Sequence, residues 1–427
     1  MWRPAVLTSF ALDYRISESP HWFHVENVIW AAIATALLTL LACELAGPLT
    51  GLITGLLFAV HPVHVEAVAN VVGRAELMAA AAYAVALLCA LRAEQRSIYL
   101  IGVALAAAFG MASKELVATL PATVLLVYVA RDLRWRRAWR PAVAAAVPIV
   151  GYYIVHALVN AHGVFYAGGI AVGMEGLGVV QRTSAMLPIS VEWWRLLLLP
   201  AHLSADYSPG ELTVSTGLTA GHLLGALVWA TLGYVAWRTR RTVPGIAIGL
   251  VWCVITVSPV ANIVVPMELL IAERTLYLPS FGVAFALASA AVAAPWSPRV
   301  RAIVVGLVAL VGATRSIARI PVWHDDERHY QALKRDAPRA YRTLWLEGKD
   351  EFAAGRWGTG EQFLLQSIAL APNLAGPRYD LGQFYMGAKL WQPAIRQLQA
   401  AVAVDSAFEP AREALRQALQ GARDSSR

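Results

Sequence analysis

The chain has 427 residues, of which 58% are hydrophobic and 15% charged, with a mean hydropathy of +0.54 and a net charge of +7. That balance excludes a soluble globular protein, and basic residues gathered in a few short clusters, with no continuous stripe, exclude nucleic acid as the partner. Cys43, Cys89 and Cys253 fall in three separate apolar runs, which leaves no disulfide framework and no CxxC metal pair.

A hydrocarbon core about 30 Å thick needs about 20 apolar residues per crossing helix. The apolar runs predict spans near 25–46, 48–60, 75–92, 97–112, 115–130, 142–160, 218–237, 243–262, 276–295 and 300–320, the second, fourth and fifth of them short. Ahead of the first span, PHWFHVEN carries His21 and His24. After the second come HPVHVEA, with His61, His64 and Glu66, and GRAE, with Arg74 and Glu76. SKE brings Lys114 and Glu115 between the fourth and fifth. The stretch 182–200 breaks the alternation of basic loops if it crosses, so it is expected to be interfacial or re-entrant. Glu192, Trp193, Trp194 and Arg195 suit an anchor at headgroup depth. PAHLSADYS then supplies His202 and Asp206, and MELLIAERTLYLPS supplies Glu268, Glu273, Arg274 and Tyr277.

Arginine excess marks cytoplasmic loops, which puts Arg92, Arg96, the 131–137 and 238–241 clusters, Arg299 and Arg301 inside. Counting outward from them, the N-terminus and the C-terminal tail fall outside, and so do all the polar segments named above. A charged side chain at the bilayer centre costs about 2.5 to 3.5 kcal/mol on insertion scales. Arg74, Glu76, Lys114 and Arg274 must therefore stand at helix ends or in a wet, paired cavity, and an outward-facing cleft accounts for them together. The plainer reading is that Lys114 beside Glu115, and Glu273 beside Arg274, neutralise each other at the membrane border. His61, His64 and Glu66 could ligate a metal, but no ligand set for a divalent cation is complete, and such histidines more often hydrogen-bond a phosphate, a sugar hydroxyl or a carboxylate. Trp22, Trp193 and Trp194 could stack on a sugar, although belt tryptophans are the usual case.

From about residue 321 charge density rises and helical periodicity replaces the apolar runs, dividing the chain into a membrane domain, 1–320, and a tail, 321–427. Trp323, Trp357 and Trp391 are spaced by 34 (357 − 323 = 34, 391 − 357 = 34). That is the period of the tetratricopeptide helix pair. Gly348 with Gly382, Pro338 with Pro372 and Leu364 with Leu398 keep the same phase. Helices are predicted over 324–335, 340–354, 358–370, 374–387, 391–404 and 408–420, as two full repeats between half-repeats that cap them. The whole is an all-α polytopic bundle followed by a solenoid.

FHVENVIW, HPVHVEAVANVVGRAEL, ASKE, LSADYS, AERTLYLPSFG and PVWHD together resemble the family of transmembrane and tetratricopeptide-repeat O-mannosyltransferases and its bacterial relatives, over nearly the whole chain. The resemblance implies a C-type glycosyltransferase fold, a polyprenyl-phosphate sugar as donor and a protein acceptor held by the repeats. The Ala- and Arg-rich composition and compact loops suit a bacterial inner membrane, which makes the outer side, where the repeats fall, periplasmic or extracellular. Arg74, Lys114 and Arg274 become the expected donor-phosphate ligands. Glu66, Glu76 and Glu273 are expected as catalytic carboxylates, and His24, His61, His64, Glu115, Asp206 and Tyr277 as substrate-binding residues. Family members usually carry a further helix and an acidic outer loop before the point at which MWRPAVLTSF begins. That difference keeps a non-catalytic scaffold, whose repeats recruit a periplasmic partner, as the alternative. A transporter would show related halves, and none are visible.

Overall fold

The computed structural model describes residues 2–131, 133, 135–160 and 169–425, so Asp132 and Arg134 of the 131–137 cluster lie outside the described residues. The regular structure of the described residues is all helical, without a named strand. In chain order the helices are α1 (Pro4–Ile16), α2 (Pro20–Ala46), α3 (Pro48–Ala59), α4 (His64–Ala69), α5 (Arg74–Arg92), α6 (Tyr99–Ser113), α7 (Leu120–Ala130), α8 (Trp139–Asn160), α9 (Val179–Leu198), α10 (Ala220–Thr239), α11 (Pro244–Val257), α12 (Tyr277–Ala293) and α13 (Pro298–Arg319). The tail adds α14 (Asp326–Asp336), α15 (Tyr341–Ala353), α16 (Trp357–Leu370), α17 (Ala375–Gly387), α18 (Trp391–Val404) and α19 (Glu409–Asp424).

Among the described residues six helices, Pro20–Ala46, Val71–Arg92, Trp135–Val159, Ala220–Thr239, Glu273–Ala293 and Pro298–Trp323, are long and apolar enough to cross a membrane. Four shorter apolar helices, Pro48–Ala59, Tyr99–Ser113, Glu115–Ala130 and Pro244–Val260, complete the ten apolar runs of the sequence. The segment through α5 is 83% buried and the one through α12 is 72% buried, against 11–22% for the other four. Those two helices therefore form the centre of the bundle and the rest turn apolar sides outward. The run of small residues Ala79–Ala82 with Ala84 and Ala86, all buried, lets neighbours approach α5 closely. α9 is not among the spanning helices. It buries Met186, Ile189, Trp193, Trp194 and Leu197, closes the Arg195 guanidinium on Glu192, and packs along α10.

The chain opens on a helix that the apolar runs do not announce. α1 buries only Val6, Ser9 and Asp13, too short and too weakly patterned a face to read as a span. What holds it is Arg74, whose side chain is fully buried. Its guanidinium donates to Asp13, to Glu26 at 3.0 Å, to Ser9 Oγ at 3.1 Å, to Asn27 Oδ1 at 2.8 Å and to the Phe23 carbonyl at 2.9 Å. Phe10 lies under it at 4.6 Å. One residue thus ties α1, α2 and α5 together.

In the tail, α15 pairs with α16 and α17 with α18, and α19 covers the last pair. Gly348 faces Leu364, and 34 residues on Gly382 faces Leu398; a Cβ at either glycine would come within 2.8 Å of the leucine Cγ. Phe352 stacks on Phe384 at 3.9 Å and joins the two repeats. The first repeat is fastened to the membrane-side loop. Tyr341 N donates to the Pro209 carbonyl at 3.1 Å, Arg339 N to Glu211 Oε1 at 2.8 Å, and Arg319 to Asp336 at 2.5 Å. Gly210 sits at φ +106°, open only to glycine without strain, and a Cβ there would run into the Arg339 carbonyl. Gly210→Ala is therefore expected to loosen this fastening. Amide exchange over 335–345 should quicken severalfold while 375–424 keeps its protection; unchanged exchange at both would refute the contact.

Candidate functional site

The polar residues meet at one end of the bundle because four elements stop there. Asn70 Oδ1 accepts from Val72 N at 3.1 Å and starts the short turn Val71–Gly73, which delivers Arg74 and Glu76 into the first turn of α5. A carboxylate is favoured at that helix end. Lys114 breaks out of α6 with extended backbone, φ −159° and ψ 143°. The turn Glu273–Leu276 leads into α12, and α4 lies against it. Glu66 of α4 binds that turn twice, accepting from the Arg274 backbone N at 2.9 Å and from the Arg274 guanidinium.

Between these elements lies a hollow of about 190 Å³, lined by Arg3, Glu76, Lys114, Glu268 and Arg274 with the apolar residues of the 269–272 segment. By the volume a water occupies in the liquid, that is room for roughly six waters, enough for a phosphate group. Each cation has a carboxylate behind it: Lys114 pairs with Glu76, Arg274 with Glu66, and Arg3 with Glu115 at 3.0 Å. Glu76, Glu66 and Lys114 are buried, while Arg274 is about a quarter exposed and faces the opening. Burial, with Arg3 and Arg274 close by, presses the Lys114 ammonium toward losing its proton, and the Glu76 carboxylate in contact with it holds the charge in place. An anion in the hollow would relieve that crowding.

A second recess of about 750 Å³ lies at the junction with the tail, lined by His21, His24, His61, His64, Trp323 and Arg328 among others. His64 sits between the rings of Phe58 and Tyr277, each 4.4 Å away. Ser280 gives its hydroxyl proton to the Tyr277 carbonyl at 2.6 Å, so at 2.7 Å it accepts from His64 Nε2–H. The same logic makes His61 Nε2 the donor to the Leu197 carbonyl at 3.0 Å. Burial pushes His61 down to about 4 and holds His64 well below the usual imidazole range. Both rings are neutral in the folded chain, and the unfolded chain takes up their protons first as pH falls. Stability is therefore complete above about pH 6.5 and is lost between 6.5 and about 4. In detergent, the unfolding midpoint of the wild type should fall across that window and be flat above it. His61→Gln, which keeps a donor to Leu197, should shallow the fall by on the order of 2 kcal/mol after discounting for partial exposure of the ring. An identical pH slope in the variant would count against a neutral His61.

The expected site residues divide accordingly. Glu76, Lys114 and Arg274 line the hollow, with Glu66 and Glu115 as ion-pair partners of its cations. His24, His61 and His64 line the second recess. Arg74 does not line the hollow: its donors are spent on α1 and α2. Glu273 turns the other way, where Oε1 accepts from Ser204 N and from the Tyr207 hydroxyl, each at 2.7 Å. Asp206 is buried beside it in the 204–208 loop, accepting from Ser208 Oγ at 2.9 Å, and burial raises its carboxyl against the pull of Arg342. Tyr277 packs in the aromatic group around His64. Arg3, which precedes the first patterned run, was not foreseen as a lining residue, and Glu268, named with the outer polar segment but given no role, lines the hollow as well.

An all-helical bundle with six helices able to cross a membrane, its ionisable side chains gathered at helix ends, defines a polytopic integral membrane protein. Residues 20–173 match the family model for dolichyl-phosphate-mannose-protein mannosyltransferases. The chain is 24% identical over 426 residues to the protein O-mannosyl-transferase F38B6.6 of Caenorhabditis elegans, covering 96% of this chain and 54% of that protein. Shorter matches are 37% identical to protein O-mannosyl-transferase TMTC3 of Homo sapiens, over 18% of this chain and 8% of that one, and 39% identical to Tmtc2 of Drosophila melanogaster, over 21% and 10%. The chain is thus similar to these protein mannosyltransferases over residues 20–173 and, at lower identity, along most of its length. It spans about half the length of the relative it matches from end to end. No solved structure matches it.

Proposed function

We propose that this chain is an integral membrane glycosyltransferase that moves a sugar, mannose in the first instance, from a polyprenyl-phosphate donor to a protein hydroxyl on the outer side of the membrane. The observation that carries this reading is the convergence of Arg3, Lys114 and Arg274 on one hollow from three distant stretches of sequence. Transfer leaves negative charge on the departing phosphate, and cations already fixed in a poorly solvated site stabilise it without reorganising. Lysine has three N–H donors and arginine five, so one carboxylate on each leaves donors for a phosphate. Glu66 and Glu76 then act as holders that fix Arg274 and Lys114 in place.

An apolar groove of about 630 Å³ beside His61, walled by Leu57, Val60, Leu197, Leu287, Leu307 and Val311, supports a prenyl chain entering from the bilayer. The histidine recess suits sugar hydroxyls. Residues 1–320 form the donor-binding domain on this reading, and the repeats of 321–427 present an extended acceptor along their concave face. The bacterial inner membrane, with the hollow and the repeats facing the periplasm, is the proposed location. The test uses the full chain in liposomes with tritiated polyprenyl-phosphate mannose and a Ser/Thr-rich polypeptide. Label in the polypeptide is the expected result. No label, together with no retention of the donor, would leave a scaffold that recruits a periplasmic partner.

A further inference from the structure

The apolar groove given above to the prenyl chain has two polar ends. His61 lines both the groove and the histidine recess, and Arg315 of α13 lines both the groove and a further, polar recess of about 650 Å³. Among the described residues none lines both the groove and the cationic hollow. Arg315 is fixed where groove and polar recess meet. One residue on, Ser316 Oγ donates to the Val60 carbonyl at 3.0 Å, and Gly312 lets α13 come close to that same carbonyl. Arg315 Nε donates to the Ala201 carbonyl at 3.0 Å, and among the described residues its two terminal nitrogens make neither a hydrogen bond nor an ion pair. The other arginines of the recess are occupied, Arg195 by Glu192 and Arg335 by Asp336. The half-buried Arg315 guanidinium thus keeps the paired N–H edge that grips a phosphate, at the point where hydrocarbon walls give way to charged ones.

We propose that the groove, Arg315 and the polar recess form a waiting seat for the loaded donor, with the prenyl chain in the groove, the phosphate on Arg315 and the sugar in the recess. This rests on the donor reading of the hollow, to which the same lipid then moves. Charge decides which lipid sits where. A phosphate joined to both a prenyl chain and a sugar is a diester with a single negative charge, and one unpaired cation matches it. Once the sugar has left, the phosphate monoester carries about 1.5 to 2 charges at neutral pH, and it is better held where Arg3, Lys114 and Arg274 converge. Glu192, Asp206, Glu211 and Asp336 line the recess. They repel a second phosphate charge, yet a carboxylate has about four lone-pair sites, so each still accepts from sugar hydroxyls.

A seat vacated before the transition state stabilises only the bound ground state, so weakening it raises KM without lowering kcat. With the full chain in detergent and no acceptor, Arg315→Gln is expected to weaken binding of polyprenyl-phosphate mannose by about tenfold, the loss of one charge-assisted contact. Its affinity for polyprenyl phosphate should stay within about twofold of wild type, which also reports that the variant is folded. Arg315→Lys should recover part of the loss. In liposomes the donor KM of Arg315→Gln should rise by about the same factor while kcat does not fall, whereas Arg274→Gln lowers kcat. Donor affinity within threefold of wild type in Arg315→Gln would overturn the seat and leave the hollow standing. Equal loss for both lipids, displacement of the donor by phosphatidylglycerol at equal concentration, or a fall in kcat would overturn it too, the last by placing Arg315 in the transfer itself. A wild type that neither binds the donor nor transfers mannose would overturn the reading of the hollow and the seat with it.

Discussion

Arg274→Gln is expected to lower sugar transfer by about 10²- to 10³-fold, the effect of removing one fixed donor from a site where charge develops. Arg274 is held by both backbone and side chain on a single carboxylate, since Glu66 accepts from its amide and its guanidinium together. The guanidinium is about a quarter exposed while its partner is buried, which leaves an edge toward the opening. Lysine at this position restores charge but not the planar fork, so Arg274→Lys should recover only part of the rate. Glu66→Gln separates holding from binding. It leaves Arg274 in place with a weaker anchor and should cost stability as well as rate, by about 2 to 3 kcal/mol given that a buried pair loses about 3 to 5 kcal/mol on losing one member and this one is partly solvated. Single-turnover transfer in liposomes and unfolding in detergent read the two effects apart. Full activity in Arg274→Gln would remove it from the donor site.

Much of the architecture was legible because it follows from solvent. The bilayer demands apolar runs of a set length, and the runs at 25–46, 75–92, 276–295 and 300–320 correspond to α2, α5, α12 and α13 within a few residues at most ends. The 34-residue period showed for a similar reason, since Gly348 and Gly382 must each admit a leucine from the next helix. That Lys114, Arg274 and Glu76 share a hollow was inferred from the cost of charge in lipid, which needs no coordinates. Partnership was not legible. Glu115 is adjacent to Lys114 in sequence but pairs with Arg3, more than a hundred residues away, and Lys114 pairs with Glu76. Glu273 and Arg274, also adjacent, face opposite ways because the turn that carries them points successive side chains to different sides. Neighbouring opposite charges in a chain say little about who neutralises whom. Arg74 illustrates the same limit: an arginine at a helix start looks like an anion ligand until α1 is seen lying over it.

Arg74→Met is expected to be the most destabilising single change in the membrane domain. The guanidinium makes five donations and supports two carboxylates, Asp13 and Glu26, in a place where Arg74 itself is fully buried. Removing one partner from a buried ionic group costs about 3 to 5 kcal/mol, and here the Asn27 side chain and the Phe23 carbonyl lose a donor as well. α1 has a thin buried face of its own, so it should detach: residues 4–16 become open to protease, and the detergent unfolding midpoint falls further than for any substitution at Arg274. The double change Arg74→Met with Asp13→Asn should recover part of the loss, since the carboxylate left without a counter-charge is gone. Arg74→Lys should not match it, because an ammonium cannot reach Ser9, Asn27 and Phe23 at once. The outcome bears on the site through Arg3, which sits one residue before α1 and pairs with Glu115 at the hollow. Loss of α1 should therefore weaken donor binding even though Arg74 lines no part of it. A variant that keeps α1 protected and binds polyprenyl phosphate normally would show that the helix is held by its apolar contacts instead.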